Sequence, residues 1–565
     1  MRGWEARTAL TDAVPNVEEL QRQILAGDTS GAGSTLGSLQ EQTARAHRLT
    51  ADPVWTLASW LPWAGANLAA VADVAKGVDD LADTVLPPMV TSAGLLDLST
   101  MRPVNGKIEL APIVAAGPLI SQASNAAARV DASVAIIDTG ALLDVVATPV
   151  ADVQHRVHDL ALTLRTGERA TQVLPAMLGG DGPRRYLVLL QSNAELRATG
   201  GLPGVLTVIT ADQGVIAMSE ATAAGSMPVY DEPVQTLAPE DAALYSDRLG
   251  RYMGDVNLTP DFPTAAAIAA QMWLHKTGET VDGVLATDPV ALSYLLSATG
   301  PVDDGTGGKL TAANAVDVLL SQAYSRYPDP ADQNTFFGRV ASNVFEAVAS
   351  GRGSPGATVN ALGKAAGEHR LLVWSTRADE RADLAGTVLT GEMPRTLATT
   401  GSRGESSAVG VFFNDGTASK MDYYLETDVH LVSSSCMSGT ATHSLHVTLT
   451  SHAPAYGATS LPASVTGPGT YGTAKGSITT NVVVLGALGG TIAAVERDGA
   501  PVGAGSYAQD GRPATTITVS LAPGASAVLT FLLTDPHPRP AVVLWTTPTR
   551  ERSGFTLSDS GTTEC

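Results

Sequence analysis

Cysteine is nearly absent from this sequence: its 565 residues include two, Cys436 and Cys565. Two cysteines exclude a disulfide-rich scaffold and any zinc module built from several cysteines, although they allow one bridge. The ten histidines form no His-Glu-x-x-His motif, and the closest pair, His155 and His158, lies at helical spacing among charged residues. This pattern predicts a solvated helix face rather than a metal site.

Basic side chains and long apolar runs are also scarce. Lys and Arg number 35 against 56 Asp and Glu, which gives a net charge of −21. This charge argues against general affinity for nucleic acid or anionic lipid, because both require a basic face. No run of about 18 apolar residues occurs, so we expect no transmembrane helix within this sequence. The first residues, MRGWEARTAL, resemble the flank of a membrane span, and we expect an N-terminal anchor in the full-length protein.

The length and composition predict several folded domains, since 565 residues exceed one core and 44% of them are hydrophobic. Helical periodicity predicts a helical bundle or stalk for residues 1–180. Alternating strand and helix patterns predict an α/β domain with a mixed sheet at 181–400. Repeated short strands with Gly, Asp and Pro turns predict an immunoglobulin-like β-sandwich with a C-terminal tail at 401–565. The predicted fold class is multidomain α+β.

The stretch RRYLVLLQSNAELRATGGLPGVLTVIT, from Arg184 to Thr210, places polar and charged residues between two apolar strands. In one interpretation it is a structural turn, in which Asn193 acts as a cap, Glu195 pairs with Arg197 and the glycines adopt positive φ angles. In the other it carries a binding site, because binding groups often lie on loops between core strands. The stretch itself leaves both interpretations open.

Four segments resemble one known family. They are RRYLVLLQSNAELRATGG, VNLTPDFPTAAAIAAQMW, VDGVLATDPVALSYLLSATGPV and NDGTASKMDYYLETDV. Together they resemble an actinobacterial family catalogued as domain of unknown function 4012, over nearly the whole chain. The resemblance implies the architecture but no demonstrated reaction. Members of that family usually begin with a membrane span, which agrees with the expected anchor.

Residues from about 184 to 350 are also similar to the LytR-CpsA-Psr phosphotransferases. The shared order is a strand, an acidic or amide residue, an arginine, a second strand, an asparagine before a helix, and an Arg/Asp/Gln segment before another helix. Enzymes of that family transfer a glycopolymer from a polyprenyl-pyrophosphate carrier to peptidoglycan. Their carboxylates hold a divalent cation, and their arginines bind the pyrophosphate. The similarity implies a LytR-CpsA-Psr-like central domain.

This similarity assigns roles to positions of the present sequence. Asn193 stands where the family has an aspartate after its first strand, Arg197 lies near the arginine before a metal-binding aspartate, and Asn257 matches an asparagine before the central helix. The predicted catalytic residues are Asn193, Glu195, Arg197 and Arg326. The predicted substrate-binding residues are Thr199, Asn257, Gln333 and Arg339. The predicted ligands of Mg²⁺ are Glu195, Asp329 and Asp332.

The sequence also departs from that family. ATGGLPG follows Arg197 where the family has its second metal aspartate, and the Pro-Arg-Asp motif is missing from MSEATAAGSMP. Both departures weaken a Mg²⁺ site, which needs carboxylate oxygens, and Glu195 is the candidate replacement. The segment SRYPDPADQN also has the composition of a solvated loop, and Asp255 and Asp261 stand where helix caps are expected.

Two functional hypotheses follow. In the first, a membrane-anchored, extracytoplasmic protein of the cell surface binds a polyprenyl-(pyro)phosphate-linked glycan and transfers it to a cell-wall acceptor. Because arginines bind phosphate bidentately, Arg197 and Arg326 are predicted to point into one cleft. In the second, a non-catalytic surface protein binds glycan or a partner, and the sandwich mediates assembly. A hydrolase is a distant third, since neither a nucleophile elbow nor an evident carboxylate pair occurs.

Three further predictions depend on these hypotheses. An oxidising compartment favours a disulfide between Cys436 and Cys565, which would tether the C-terminal tail. The alternative is that Cys436 is a small buried hydrophobic residue and Cys565 a frayed terminus. The Ala-rich helix TAAAIAAQMW is predicted to line a groove for the polyprenyl chain. The helical region before residue 180 is predicted to carry no catalytic group, because its polar residues follow a solvated face.

Overall fold

The computed structural model describes residues 15–17, 19–20, 22–23, 28–61, 64–96, 102–393, 397–398, 405–469, 472–538, 541–551 and 554–557. The chain divides into two compact units. The first consists of Met1–Arg102, Ile108–Gly182 and Ala398–Arg403, and the second of Pro103–Lys107, Pro183–Leu397 and Gly404–Cys565. The protein is therefore multidomain, and it combines helices with several sheets of mixed strand direction.

Helices dominate the described part of the first unit. They are α1 Thr29–Thr50, α2 Pro53–Ala58, α3 Gly65–Asp80, α4 Leu86–Leu95, α5 Ala111–Ala135 and α6 Asp144–Met177. A π-helical turn, Leu81–Val85, connects α3 to α4. Ala123 and Ala127 of α5 are buried with Ala161 and Leu164 of α6, because small side chains let two helices pack closely. None of the helices described is both long and apolar enough to cross a membrane.

The second unit begins with a mixed sheet. The strands of this segment are β1 Arg184–Ser192, β2 Leu202–Asp212, β3 Val215–Met218, β4 Thr222–Ala223, β5 Gly283–Thr287, β6 Val302–Asp303, β7 Lys309–Leu310 and β8 Leu371–Ser375. The sheet has the order β3-β2-β1-β5-β8, with β4 paired to β2, while β6 and β7 form a separate ribbon. β1 is antiparallel to β2 and parallel to β5. The apolar run of β1 suits this central position, where most of its side chains are buried.

Helices and short 3₁₀ turns connect these strands. The helices are α7 Pro239–Tyr245, α8 Phe262–Thr277, α9 Pro289–Thr299, α10 Ala315–Asp317, α11 Ala323–Arg326, α12 Pro330–Ala349, α13 Pro355–Gly367 and α14 Ala378–Leu384. The π-helical segment Val318–Gln322 connects α10 to α11. Asp261 caps α8 as predicted, since its carboxylate accepts a 3.0 Å hydrogen bond from the main-chain nitrogen of Thr264. The predicted cap role of Asp255 is wrong, because its carboxylate pairs with arginine side chains instead.

The remaining strands form two further sheets. The remaining strands are β9 Leu397–Ala398, β10 Glu405–Asp415, β11 Leu425–Met437, β12 Thr440–Ser451, β13 Ile478–Leu485, β14 Thr491–Arg497, β15 Ala500–Pro501, β16 Gly505–Gln509, β17 Arg512–Leu521, β18 Ser526–Asp535, β19 Ala541–Thr546 and β20 Gly554–Leu557. The short helices α15 Gly457–Ser460 and α16 Ala463–Thr466 lie between β12 and β13. One sheet has the order β16-β17-β13-β10-β19, and the other β15-β14-β18-β12-β11-β20. Phe413 and Val482 of the first sheet share an apolar core with Leu445 and Phe531 of the second.

The α/β segment and the C-terminal sheets also share a core. Phe262, Ala265 and Ile268 of α8 are fully buried together with Leu187 of β1 and Phe412 of β10. The helix that carries TAAAIAAQMW is therefore surrounded by protein side chains. The prediction that this helix lines a lipid groove is wrong, because its apolar face is already occupied by the core.

Candidate functional site

Asn193 lies at the carboxyl edge of two parallel strands. Because β1 and β5 are parallel, the residues that follow them, Asn193 and Asp288, meet at one edge of the sheet. The Asn193 side-chain nitrogen lies 3.0 Å from a carboxylate oxygen of Asp288 and 2.9 Å from the carbonyl oxygen of Pro548. Asp288 also pairs with Arg370 at 2.7 Å, and both of these side chains are buried. Asn193 thus joins a buried ion pair to the C-terminal segment.

Glu195 and Arg197 form a second buried charge network. Arg197 lies 3.0 Å from Asp255 and 3.5 Å from Glu195, and Glu195 also pairs with Lys420. Burial alone would raise the pKa of Glu195, but the charges of Lys420 and then Arg197 hold it below its usual value. Asp255 is shared with the more exposed Arg248 at 2.6 Å. The charges of Glu195 and Arg197 are therefore compensated inside the protein.

The main chain between Glu195 and Thr199 is bound by side chains from the C-terminal part of the second unit. The Leu196 nitrogen donates to Asp422 at 2.8 Å, and the Ala198 nitrogen donates to Asn414 at 2.9 Å. The Ala198 carbonyl accepts a 3.0 Å hydrogen bond from the Thr547 hydroxyl. Burial, followed by the charge of Asp415, raises the pKa of Asp422 well above its ordinary value. These hydrogen bonds hold the loop between the α/β segment and the C-terminal part of the second unit.

Thr199 and Asn257 continue this network. The Thr199 hydroxyl accepts hydrogen bonds from Gln191 at 2.9 Å and from Asn257 at 3.0 Å, and Asn257 also donates to the Gly201 carbonyl at 2.9 Å. Gly201 must be glycine, because a Cβ there would lie 2.1 Å from the Ser192 carbonyl oxygen. The Glu195–Arg197 pair and the positive φ of Gly200 agree with the interpretation of the stretch as a structural turn. The predicted cap role of Asn193 is wrong, because its side chain bonds Asp288 and Pro548 instead.

Arg326 and Arg339 lie at the loop between β6 and β7. Arg326 is half exposed, and its guanidinium lies 3.7 Å from Asp304 and 3.4 Å from the Thr306 hydroxyl. Arg339 donates to the Gly305 carbonyl at 2.7 Å. The two arginines therefore stabilise one loop, and the exposed face of Arg326 remains accessible to solvent.

The residues around the start of α12 have local structural roles. Asp329 caps α12 by accepting a 2.8 Å hydrogen bond from the Ala331 nitrogen, and Asp332 is exposed in its first turn. Gln333 is buried and donates to the Tyr327 carbonyl at 2.7 Å. These contacts fit the interpretation of SRYPDPADQN as a solvated loop and a helix start.

Arg197 and Arg326 belong to separate contact networks. In the part of the chain that the structure describes, Arg197 pairs with Glu195 and Asp255, whereas Arg326 pairs with Asp304. The predicted convergence of the two guanidiniums in one cleft stays a prediction. Within the same part of the chain, no three His, Cys, Asp or Glu side chains are grouped so that they could hold a metal ion.

A cavity of about 390 Å³ lies elsewhere in the second unit, beside β8, the start of α8 and the turn between β16 and β17. Its chemically distinctive lining residues are Asp261, Trp374, Arg381, Glu392, Asp510 and Arg512. Burial, together with the charges of Asp510 and Glu392, raises the pKa of Asp261 to about 6. The sequence carries no local signal for this cavity, because its walls come from segments far apart in the chain.

Comparison with known families gives a match for part of the chain. Residues 181–324 match the model of a family described as protein of unknown function (DUF4012). This segment contains three of the four motifs that carry the resemblance, and the fourth, NDGTASKMDYYLETDV, lies beyond it. Neither the curated proteins nor the solved structures provide a match. The DUF4012 resemblance drawn from the motifs is thus supported for residues 181–324.

Proposed function

We propose that this protein is a non-catalytic, extracytoplasmic protein of the cell envelope that binds a wall glycan. The observation that carries the proposal is the burial of the predicted catalytic group: the side chains of Arg197 and Glu195 are 6% and 7% exposed, and each is paired within the protein. A pyrophosphate needs guanidinium groups that are free to bind it. The Arg197 guanidinium instead donates to Asp255 and to the carbonyls of Leu196 and Gly254.

The similarity to the LytR-CpsA-Psr phosphotransferases supports a glycan as the ligand. The mixed sheet, in which Asn193 follows the strand parallel to β5, supports a LytR-CpsA-Psr-like fold for the central segment. The two C-terminal sheets have a common core and alternating burial along β12, which supports an immunoglobulin-like sandwich. In this proposal the sandwich holds the loop from Asn193 to Gly201 rigid and mediates assembly at the cell surface.

The predicted disulfide between Cys436 and Cys565 belongs to the same proposal, because an oxidising compartment favours it. Cys565 lies outside the described residues, so the bridge stays a prediction. β20 runs parallel to β11, with Leu557 opposite Leu431, in the direction of Cys436. Cys436 lies five positions beyond Leu431 in β11, so the chain after Leu557 must extend about 17 Å to come alongside it. The residues that follow Leu557 are long enough to span this distance. Non-reducing peptide mapping of the secreted protein should find this bridge, and two alkylatable thiols would contradict it.

The proposed function is tested by two measurements on the same purified protein. Sedimentation with purified wall polysaccharide should carry the protein into the pellet. Incubation with a polyprenyl-pyrophosphate-linked glycan, a peptidoglycan acceptor and Mg²⁺ should give no transfer product. Transfer that requires Mg²⁺ and is lost in Arg326→Ala would contradict the proposal and favour the phosphotransferase hypothesis. A polyprenyl phosphate identified by mass spectrometry in the purified protein would also favour that hypothesis.

A further inference from the structure

The cavity beside β8 carries hydrogen-bond acceptors that the protein leaves unused. In the part of the chain that the structure describes, the carboxylates of Glu392 and Asp510 form neither an ion pair nor a hydrogen bond. Asp261 uses one carboxylate oxygen to cap α8 through Thr264. Its position in the cavity wall places a third acidic group close to the other two, as their mutual charge effects indicate. The cavity therefore offers several carboxylate oxygens to a ligand.

The same cavity offers hydrogen-bond donors and an aromatic ring. Arg381 uses its Nη1 group for the main-chain carbonyls of Ser375 at 3.0 Å and Thr376 at 2.6 Å. The other guanidinium nitrogens of Arg381 make no hydrogen bond to the residues described, and neither does the indole nitrogen of Trp374. Trp374 is partly buried and is among the residues that line the cavity. Donors, acceptors and an aromatic surface thus meet in one concave site.

We infer that this cavity binds a pyranose unit of a neutral oligosaccharide, with Trp374 against the sugar ring and Glu392, Asp510 and Arg381 bound to its hydroxyl groups. A sugar hydroxyl both donates and accepts hydrogen bonds, so it matches a wall that presents carboxylates beside N–H groups. Aromatic side chains with a polar edge suit ligands that have one apolar and one polar side. The volume of about 390 Å³ is within the usual range for small-ligand sites. The inference rests on the proposed function, because it names the site at which the glycan is held.

The charged residues that line the cavity determine which class of sugar it can bind. Three carboxylates, Asp261, Glu392 and Asp510, line it together with two guanidiniums, Arg381 and Arg512. Arg512 is buried, and its Nη1 group donates to main-chain carbonyl oxygens, so it is directed into the protein. A phosphorylated sugar would face an excess of negative charge at this site. The cavity therefore suits a neutral glycan and not the pyrophosphate of a lipid carrier.

The inference is tested by calorimetric titration of the whole protein with cellobiose, maltose, mannobiose and N,N′-diacetylchitobiose. We expect at least one of these neutral disaccharides to bind the native protein. Glu392→Gln and Asp510→Asn change exposed side chains without loss of volume, and each should weaken that binding about tenfold. Trp374→Ala should weaken it at least as much. Asp212→Asn, an exposed carboxylate change at the end of β2, is the matched control and should leave the affinity unchanged.

The outcomes separate the site from the proposed function. Equal affinity of Glu392→Gln, Asp510→Asn and the native protein would place the sugar elsewhere and overturn the site, while glycan binding would stand. If the native protein sediments with wall polysaccharide but binds no neutral disaccharide, the inference fails alone. If it binds neither, the proposed function fails as well. Tighter binding of a sugar phosphate than of the neutral sugar would also overturn the inference.

Discussion

The side-chain amide of Asn193 donates a 3.0 Å hydrogen bond to Asp288, although 95 positions separate the two residues in the sequence. The same nitrogen donates to the Pro548 carbonyl at 2.9 Å. An aspartate cannot donate either bond, and its charge would stand beside the carboxylate of Asp288. The amide at this position, where the LytR-CpsA-Psr enzymes have an aspartate, therefore serves the contact between the two parts of the second unit.

Asn193→Asp should lower the free energy of unfolding by about 3 kcal/mol or more, because two buried acceptors lose their donor and two carboxylates become neighbours. Urea denaturation followed by tryptophan fluorescence measures the change. Asn360→Asp, which adds the same charge at an exposed position of α13, should change stability by less than about 0.5 kcal/mol. An Asn193→Asp protein as stable as the native one would show that this contact does not matter.

Arg197 and Arg326 should differ sharply in their contribution to stability. Arg197→Ala leaves Asp255 and Glu195 buried with one cation fewer, and breaking such a network typically costs about 3 to 5 kcal/mol. Arg326→Ala removes a half-exposed ion pair with Asp304, which is worth at most about 1 kcal/mol. Thermal denaturation of the two variants gives the comparison. Similar small effects at both positions would contradict the structural role of Arg197.

Two nearby glycines provide a steric test of the same loop. Alanine at Gly201 would place its Cβ 2.1 Å from the Ser192 carbonyl oxygen, so Gly201→Ala should destabilise the protein by several kcal/mol or prevent folding. A Cβ at Gly204 has no heavy atom within 4 Å, so Gly204→Ala should be neutral or stabilising by up to about 1 kcal/mol. Soluble yield and melting temperature report both effects. A well-folded Gly201→Ala protein would mean that the loop can move away from Ser192.

Asp261 should make stability fall as pH rises. Burial raises its pKa from 3.8 to about 6, so between these values the folded protein binds a proton that the unfolded chain has lost. Stability then decreases as pH increases through this window, by at most about 3 kcal/mol. Asp261→Asn keeps the helix cap but removes the charge, and it should flatten the dependence. Asp329→Asn, a change at an exposed cap, is the control and should retain the native profile. An unchanged slope in Asp261→Asn would refute the assignment.

Sequence patterns predict the elements of this protein better than the contacts between them. The apolar runs around Asn193 predict β1 and β2, and the Pro and Asp at Asp261 predict the start of α8. The predicted pairing of Glu195 with Arg197 is confirmed, and it could be predicted because the two residues are close in sequence. The sequence gives no local pattern that connects this loop with Lys420, Asn414 and Asp422. These side chains reach the loop only when the C-terminal sheets pack against the first sheet.

The sequence could not predict the cavity for the same reason, since its walls come from segments far apart in the chain. Trp374 follows a strand pattern and Asp510 lies in a turn, and each has an ordinary structural role when its own segment is considered alone. Burial of α8 was missed because an Ala-rich helix has the same pattern whether it lies in a core or faces a lipid. Long-range packing decides between these alternatives.

His369 should oppose Asp261 in the pH dependence of stability. Its ring stacks on Trp545 with the centroids 3.9 Å apart, and burial lowers the pKa of His369 from 6.5 to about 4. Between these values the unfolded chain binds a proton that the folded protein does not, so this group lowers stability as pH falls through the window, by at most about 3.5 kcal/mol. His369→Phe preserves the stacking and cannot be protonated, so it should reduce the loss of stability between pH 6.5 and 4. His537→Phe, at an exposed position, controls for the loss of a histidine. Melting temperatures of the three proteins measured across this pH range test the prediction. If His369→Phe and the native protein show the same pH dependence, then His369 is protonated equally in the folded and unfolded states.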